Sequence, residues 1–340
     1  MNSWMLEEAR SAADAVAGQL AADEAIYAAL GRKLRDQPPA VAVTVARGSS
    51  DHAAGYLAYL VMSRLGRIVA SLPMSLVTLY KSPLQARQTL AVAISQSGQS
   101  PDVVEPVGYF RAGGATTVAL VNDAASPLAQ SAEWVLPLHA GPERSVAATK
   151  SFIASLVAGA RLVAHWQDDA PLLTALQALP EALRVAAGTD WSAALDVLVP
   201  ARAAMVVGRG PGFAVANEAA LKLKETSSLQ AEAFSGAEIQ HGPMALIDDG
   251  YPLLIFATRG PASAGLVELA ASMRQRGARV LLAAPDGVPT RDLTLPTAPT
   301  PDLDPIVAVQ AFYGLAAQLA LARGFDPDQP RHLRKVTRTQ

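Results

Sequence analysis

Three short apolar runs in this chain recur at one fixed offset. "VTVARG" starts at residue 43 and "MVVGRG" at 205, "AVAI" at 91 and "LLIF" at 253, "TTVALVN" at 116 and "ARVLLAA" at 278, each pair 162 positions apart. A fourth pair, "VLPL" at 135 and "LTLP" at 293, is offset by slightly less. One such match is weak. Three equal offsets indicate a duplicated unit, and a duplication constrains the architecture before any single motif does.

Within each half the runs are short, apolar on both faces and separated by stretches of helical composition such as "DHAAGYLAYLVMSRLG", "VVEPVGYFRAGG" and "ELAASMRQRG". Strands buried on both faces and alternating with helices make parallel sheets with right-handed crossovers. The expectation is an α/β chain of two tandem αβα sandwiches, each a doubly wound parallel sheet. Its parts are an N-terminal amphipathic helix (1–24), a first domain (25–175), a helical connection, a second domain (190–325) and a C-terminal tail (326–340) that is not a sheet element. With 340 residues, 51% of them hydrophobic, two cores of this kind can be buried.

Charge and cysteine content exclude several classes. A formal net charge of −2, with the two signs mixed along the chain, gives no basic footprint for nucleic acid and no polybasic patch for a membrane. There is no cysteine, hence no disulfide, thiolate metal site or cysteine nucleophile, which fits a cytoplasmic location. The start, "MNSWMLEEARSAADAVAGQL", carries acids where a secretion signal needs a basic flank. No apolar run of 18 residues free of charge and proline follows it.

The segment "LAVAISQSGQSPDVV" (90–104) ends an apolar run in six small polar residues. In open α/β sheets, ligands bind where strand ends lead into helix N-termini. Ser100 suits an N-cap and Pro101 a first helical residue, so free backbone N–H groups and serine hydroxyls are expected to converge there on an anion such as phosphate. "ARGSSDHAAG" (46–55) makes a similar loop. A turn with an N-cap and no ligand is the alternative for either loop alone. "GRGPGF" (208–213) has Phe213 where a dinucleotide fingerprint needs its third glycine, and no Walker-type Gly-Lys-Ser follows any strand, so no nucleotide signature is present.

In "NEAALKLKETSSLQAEAFSGAEIQHGPMALIDDG" (217–250), Glu218, Lys222 and Glu225 are spaced by four and three and so share one helix face. On an arbitrary helix this is a solvated salt-bridge stripe. Here Ala219, Ala220, Leu221 and Leu223 point instead to partial desolvation. His241, between glycine and proline, reads on its own as a structural histidine. The five histidines form no pair or acid cluster at zinc spacing, so no metal is expected.

"SQSGQS", "AGPERSVAATKSF", "NEAALKLKETSSLQAEAFSGAEIQHGP" and "DQPRHLRK" together resemble, in order and spacing, the paired sugar isomerase (SIS) domains of glucosamine-6-phosphate synthase. The resemblance implies that Gly48, Ser49, Ser50, Ser95, Gln96, Ser97 and Ser100 hold a sugar phosphate, with Val146, Ala148 and Glu218 also in the substrate site. It implies that Glu225 shuttles a proton between C1 and C2, that His241 assists ring opening from a partner subunit of a homodimer, and that Lys335 engages the open-chain sugar with Lys222 in support. No cofactor is implied. The pattern departs at Gln99-Ser100, where the family has Glu-Thr, and at Ala148, where it has serine. The synthase's glutaminase domain and its cysteine have no counterpart in these residues. The expected reaction is therefore that of the SIS-type glucosamine-6-phosphate deaminases, giving fructose 6-phosphate and ammonia. The alternatives are a fructosamine-phosphate deglycase, an isomerase using an external ammonia donor, and a non-catalytic phosphosugar sensor. The sensor reading is opposed by a start too short and acidic for a helix-turn-helix module and by the presence of Glu225, His241 and Lys335.

Overall fold

The computed structural model describes residues 3–335. The chain forms two compact units. One comprises Asp14–Glu143, Lys150–Gln177 and the chain from Arg334, the other the chain up to Ala13, Arg144–Thr149 and Ala178–Leu333.

The first of these carries β1 (Val41–Val45), β2 (Val69–Ser71), β3 (Thr89–Ser95), β4 (Thr116–Val121) and β5 (Trp134–Pro137). They form one parallel sheet in the order β2-β1-β3-β4-β5. The second carries β6 (Ala203–Gly208), β7 (Gln230–Ser235), β8 (Pro252–Phe256), β9 (Arg279–Ala284) and β10 (Leu293–Thr294), parallel in the order β7-β6-β8-β9-β10. The two permutations are the same. Register carries the duplication further: Val43 pairs with Ala91 and Met205 with Leu253, both partners displaced by the offset read from the sequence. One step along the sheet, Ala91 pairs with Thr117 but Leu253 with Val280, a slip of one residue.

Each sheet is covered by the helices between its strands. In the β1–β5 unit, Ala91, Ala93, Ala119 and Val121 pack against Val103, Val107 and Phe110 of the Pro101–Ala112 helix. In the β6–β10 unit, Met205, Val207, Leu253 and Ile255 meet Leu266, Leu269 and Met273 of the Ser263–Gln275 helix. The Lys150–Gln167 helix is buried at nearly every position and packs against the Ser49–Leu65 and Glu24–Asp36 helices. Its Arg161 is buried, donating to the carbonyls of Gln19 and Ala22 at 2.7 and 2.8 Å and to Glu24 at 2.8 Å, so it closes the carbonyl end of the Ala12–Ala21 helix.

The structure departs from the sequence expectation at three elements. The opening stretch forms two helices, Trp4–Arg10 and Ala12–Ala21, divided at Ser11, whose hydroxyl donates to the Glu8 carbonyl at 2.9 Å. β2 and β7 lie at sheet edges, where only one side of each strand is paired, and neither has the apolar run of a central strand. Among the described residues no strand follows β10, so the tail adds none. The stretch Pro301–Ala322 is long and apolar enough by length and composition to cross a membrane, but 78% of its most apolar window is buried within the protein, as in a core helix.

Candidate functional site

The residues singled out in the sequence divide between the units. Gly48, Ser49, Ser50, Ser95, Gln96, Ser97, Ser100 and Lys335 belong to the β1–β5 unit; Val146, Ala148, Glu218, Lys222, Glu225 and His241 belong to the β6–β10 unit.

In the β1–β5 unit, the loops after β1 and β3 leave the carboxyl ends of neighbouring strands. Gly48, at φ 53 and ψ −133, makes the turn that starts the Ser49–Leu65 helix, a conformation open to glycine. In the second loop the serines brace the backbone. The Gly98 N–H donates to Ser95 Oγ at 3.0 Å and the Gln99 N–H to Ser97 Oγ at 3.4 Å. A hydroxyl that accepts from its own backbone keeps its hydrogen available to donate outward. Gly98 has φ 63, and a Cβ there would lie 2.2 Å from Ser126 Oγ, so only glycine fits.

Ser100 occupies the N-cap position ahead of Pro101 as expected, but its side chain does not cap the helix. Its hydroxyl donates instead to Asp102 Oδ1 at 2.6 Å. Asp102 Oδ2 accepts from Arg47 Nε at 3.1 Å, and this carboxylate is only 4% exposed. A buried acid thus joins the two loops, one oxygen to each.

Lys335 lies beside a second buried acid that the sequence reading did not single out. Glu143 accepts from the Ser151 N–H at 3.2 Å and the Ser151 hydroxyl at 2.6 Å, at the start of the Lys150–Gln167 helix. It also accepts from Lys335 Nζ, at 3.1 Å. The carboxylate thereby stabilises a helix N-terminus and holds the tail lysine with one set of oxygens.

In the β6–β10 unit the Phe213–Ser227 helix follows β6, the counterpart of the Ser49–Leu65 helix after β1. The expected spacing brings its three charges together: Lys222 Nζ lies 3.0 Å from Glu218 Oε1 and 2.8 Å from Glu225 Oε2. Tyr313, from the Asp304–Ala322 helix, donates to Glu218 at 3.2 Å. Glu218 and Lys222 are buried, whereas the Glu225 side chain is 21% exposed. Burial works against the Lys222 charge, but the two carboxylates outweigh it and hold the ammonium above its ordinary pKa. The cluster is not a solvated stripe. It fixes one carboxylate, Glu225, with an ammonium against it and a face open to solvent.

Val146 and Ala148 lie in a short segment held by two anchors within the same unit. Glu8 accepts from the N–H groups of Arg144 and Ser145, the latter at 3.2 Å, and the Asp328 carbonyl accepts from the Val146 N–H at 3.2 Å. The Asp328 carboxylate also accepts from the N–H groups of Trp4 and Met5, at the start of the helix that carries Glu8. His241 stands apart, exposed in a turn between the short helices Glu238–Gln240 and Pro243–Leu246; Gly242 at φ 130 allows that turn. No hydrogen bond among the described residues joins it to Glu225. Those residues also hold no group of three or more His, Asp or Glu that could bind a metal.

Sequence reasoning missed Arg47, Asp102, Glu143, Glu8 and Tyr313. Each acts through a partner distant in sequence, and no local spacing announces such a pair.

Comparison with known proteins bears on the family and the fold. The SIS domain model matches residues 39–164 and 197–287, more than half of the chain. Glutamine–fructose-6-phosphate aminotransferase [isomerizing] of Zymomonas mobilis is 33% identical over 311 residues, which cover 86% of this chain and 51% of the relative. The enzyme of the same name from Aeropyrum pernix is 35% identical over 312 residues, covering 86% and 50%. The chain thus spans about half the length of these curated relatives. Among solved structures, a candidate phosphosugar isomerase of Silicibacter pomeroyi is 40% identical with a TM-score of 0.92, covering 96% of this chain and 100% of its own. The glucosamine-6-phosphate deaminase of Thermotoga maritima, at 22% identity and a TM-score of 0.78 over 99% of this chain, shares the fold. With two β2-β1-β3-β4-β5-type sheets, each overlapping one of the two matched segments, this chain belongs to the SIS domain family.

Proposed function

We propose that the protein is a glucosamine-6-phosphate deaminase, converting the amino sugar phosphate and water to fructose 6-phosphate and ammonia. The observation that carries this reading is the Glu218–Lys222–Glu225 cluster. It holds one partly exposed carboxylate rigidly beside an ammonium, the arrangement a base needs to move a proton between adjacent carbons.

In this reading the serine loops hold the phosphate by hydroxyl and backbone donors. His241 moves a proton between O1 and O5 as the ring opens, in a homodimer where it serves the partner's site. Glu225 takes the proton from C2 of the open-chain aldehyde and returns it to C1. With one proton passing from the nitrogen to O1, this leaves a C1 alcohol and a C2 imine; water adds to C2, and the carbinolamine loses ammonia to give the C2 ketone of fructose 6-phosphate. Lys335 engages the open chain, and release from Glu143 frees it to do so. The serine-to-alanine difference at Ala148 removes a hydroxyl and leaves room near the sugar. Within these residues no cysteine is present to attack glutamine, so the chemistry they can carry is isomerisation followed by hydrolysis. A cytoplasmic setting belongs to the same reading and is favoured by the lack of cysteine in these residues.

A second reading, a phosphosugar aldose-ketose isomerase without nitrogen release, is favoured by the 40% identity to the candidate isomerase. Incubation of the purified chain with glucosamine 6-phosphate separates the two. Ammonia and fructose 6-phosphate in equal amounts are expected. No ammonia, with interconversion of a neutral aldose and ketose phosphate, overturns the deaminase in favour of the isomerase.

A further inference from the structure

A site meant for a phosphate contains a buried carboxylate. Asp102 sits in the first turn of the helix whose N-terminus faces the β3 loop, and it takes the hydroxyl hydrogen of Ser100, one of the residues assigned to the phosphate. A second anion brought to this loop meets that charge at short range. The loop that Ser95 to Ser100 form has no positive side chain of its own, and across 46–55 and 89–103 the one permanently charged base is Arg47.

Arg47 uses Nε on Asp102, while its Nη1 and Nη2 have no acceptor among the described residues; its side chain is 59% exposed. The contrast within the same protein is Arg259, which leaves the end of β8, the counterpart of β3. Arg259 spends Nε and Nη2 on Asp304 at 2.8 and 2.6 Å, places Nη2 on the Ala298 carbonyl at 2.5 Å, and gives its backbone N–H to Asp304 as well. Arg259 is a closed structural pair. Arg47 is held by one edge with the other edge of its planar fork turned to solvent, the half that recognises phosphate in two-point fashion.

We infer that Arg47 is a phosphate-binding residue: Asp102 grips its Nε, and its Nη1 and Nη2 receive the phosphate presented to the serine loops. The bridge also joins the loop after β1 to the loop after β3, so both meet the ligand as one cradle. When phosphate arrives, Ser100 can turn its hydroxyl hydrogen from Asp102 to the ligand, because Arg47 keeps the carboxylate compensated. The inference rests on the phosphosugar reading of the site but not on which reaction follows.

The test uses the full chain and inorganic phosphate as probe, by calorimetric titration, with KM for glucosamine 6-phosphate as the second readout. R47M should weaken phosphate binding by roughly 10- to 100-fold, the range of one charge-assisted contact, with the kinetic loss falling on KM more than on kcat. R47K, which keeps charge but not the fork, should fall between. Binding to the unaltered protein should weaken more steeply with added salt than binding to R47M.

The double variant R47M/D102N decides between contact and mere compensation. Binding that stays weak supports direct contact; binding restored to within about twofold of the original overturns it, since Arg47 would then only neutralise Asp102. Unchanged affinity in R47M also overturns the proposal. Should R47M fail to fold, R47Q carries the same comparison, with unfolding temperature as the control. Because phosphate titration needs no turnover, a chain that binds phosphate through Arg47 but releases no ammonia sinks the deaminase alone. Ammonia release with phosphate affinity indifferent to Arg47 sinks this inference alone.

Discussion

The two sheets share a strand order and much of a register, yet their corresponding strand ends deploy charge differently. After β1 and β3 stand serines that accept from their own loop backbone, and an arginine held through its Nε. After β6 stands Arg209, the repeat counterpart of Arg47, beside a Gly208 backbone so closely packed that a Cβ there would lie 2.5 Å from the Gly212 carbonyl oxygen. The helix that follows carries Glu218, Lys222 and Glu225 as one cluster. After β8, Arg259 is consumed by Asp304. One scaffold thus presents serine loops bridged by a buried acid in one unit and a three-charge helical cluster with a partly exposed carboxylate in the other.

The largest expected effect tests how far the charged helix depends on its pairing. K222M leaves Glu218 buried beside Tyr313 without its cation, and breaking such a pair costs roughly 3–5 kcal/mol. Urea unfolding should show this, whereas K81M, which breaks the exposed Lys81–Glu105 pair of the other unit, should leave the midpoint unmoved. Equal effects from the two would remove the distinction.

Next in size is the backbone of the loop after β3. G98A meets Ser126 and Val121 at 2.2 and 2.9 Å from a backbone at φ 63, and should cost about 1–3 kcal/mol together with phosphate affinity. G108A, ten residues on in the Pro101–Ala112 helix, has nothing within 4 Å and should stabilise by about 0.5–1 kcal/mol. Thermal unfolding of the two variants checks both signs.

The smallest effect concerns pH. In the β1–β5 unit, Glu24 is held below its ordinary value by Arg161, His165 by burial, and Asp169 by the Leu172 N–H. A folded pKa below the unfolded one gives stability that is present above the unfolded value and lost as pH falls through the folded one. In the β6–β10 unit, Lys222 and Arg259 are shifted upward instead, and Asp190, fully exposed at the surface, is lowered. The stability from a raised lysine is complete below its unfolded pKa and lost only in strong alkali. Acidification from pH 7 toward 4 should therefore release the amides of β1–β5 to hydrogen exchange before those of β6–β10. Simultaneous release would contradict it.

The sequence made some of this readable and hid the rest for physical reasons. Central strands such as β3 are apolar on both faces, so their runs and the 162-residue offset were visible, and the sheets followed. β2 and β7 were not, because an edge strand needs no continuous apolar run; β7 carries Gln230, Glu232 and Ser235. The Glu218–Lys222–Glu225 cluster was legible because its partners lie within one helical turn of each other. Arg47 with Asp102, Lys335 with Glu143 and Tyr313 with Glu218 are 55, 192 and 95 residues apart, and only the folded chain pairs them. Ser100 shows the limit within a single turn. Its position as N-cap was readable, but the pull of Asp102 on its hydroxyl was not.

The most direct test compares the intact chain with E225Q for ammonia release from glucosamine 6-phosphate, with inorganic phosphate titrated into both. The account predicts that E225Q loses about two to four orders of magnitude in rate while its phosphate affinity stays within twofold, because base and anion loop belong to different copies of the repeat. An E225Q protein that releases ammonia at the original rate would contradict it.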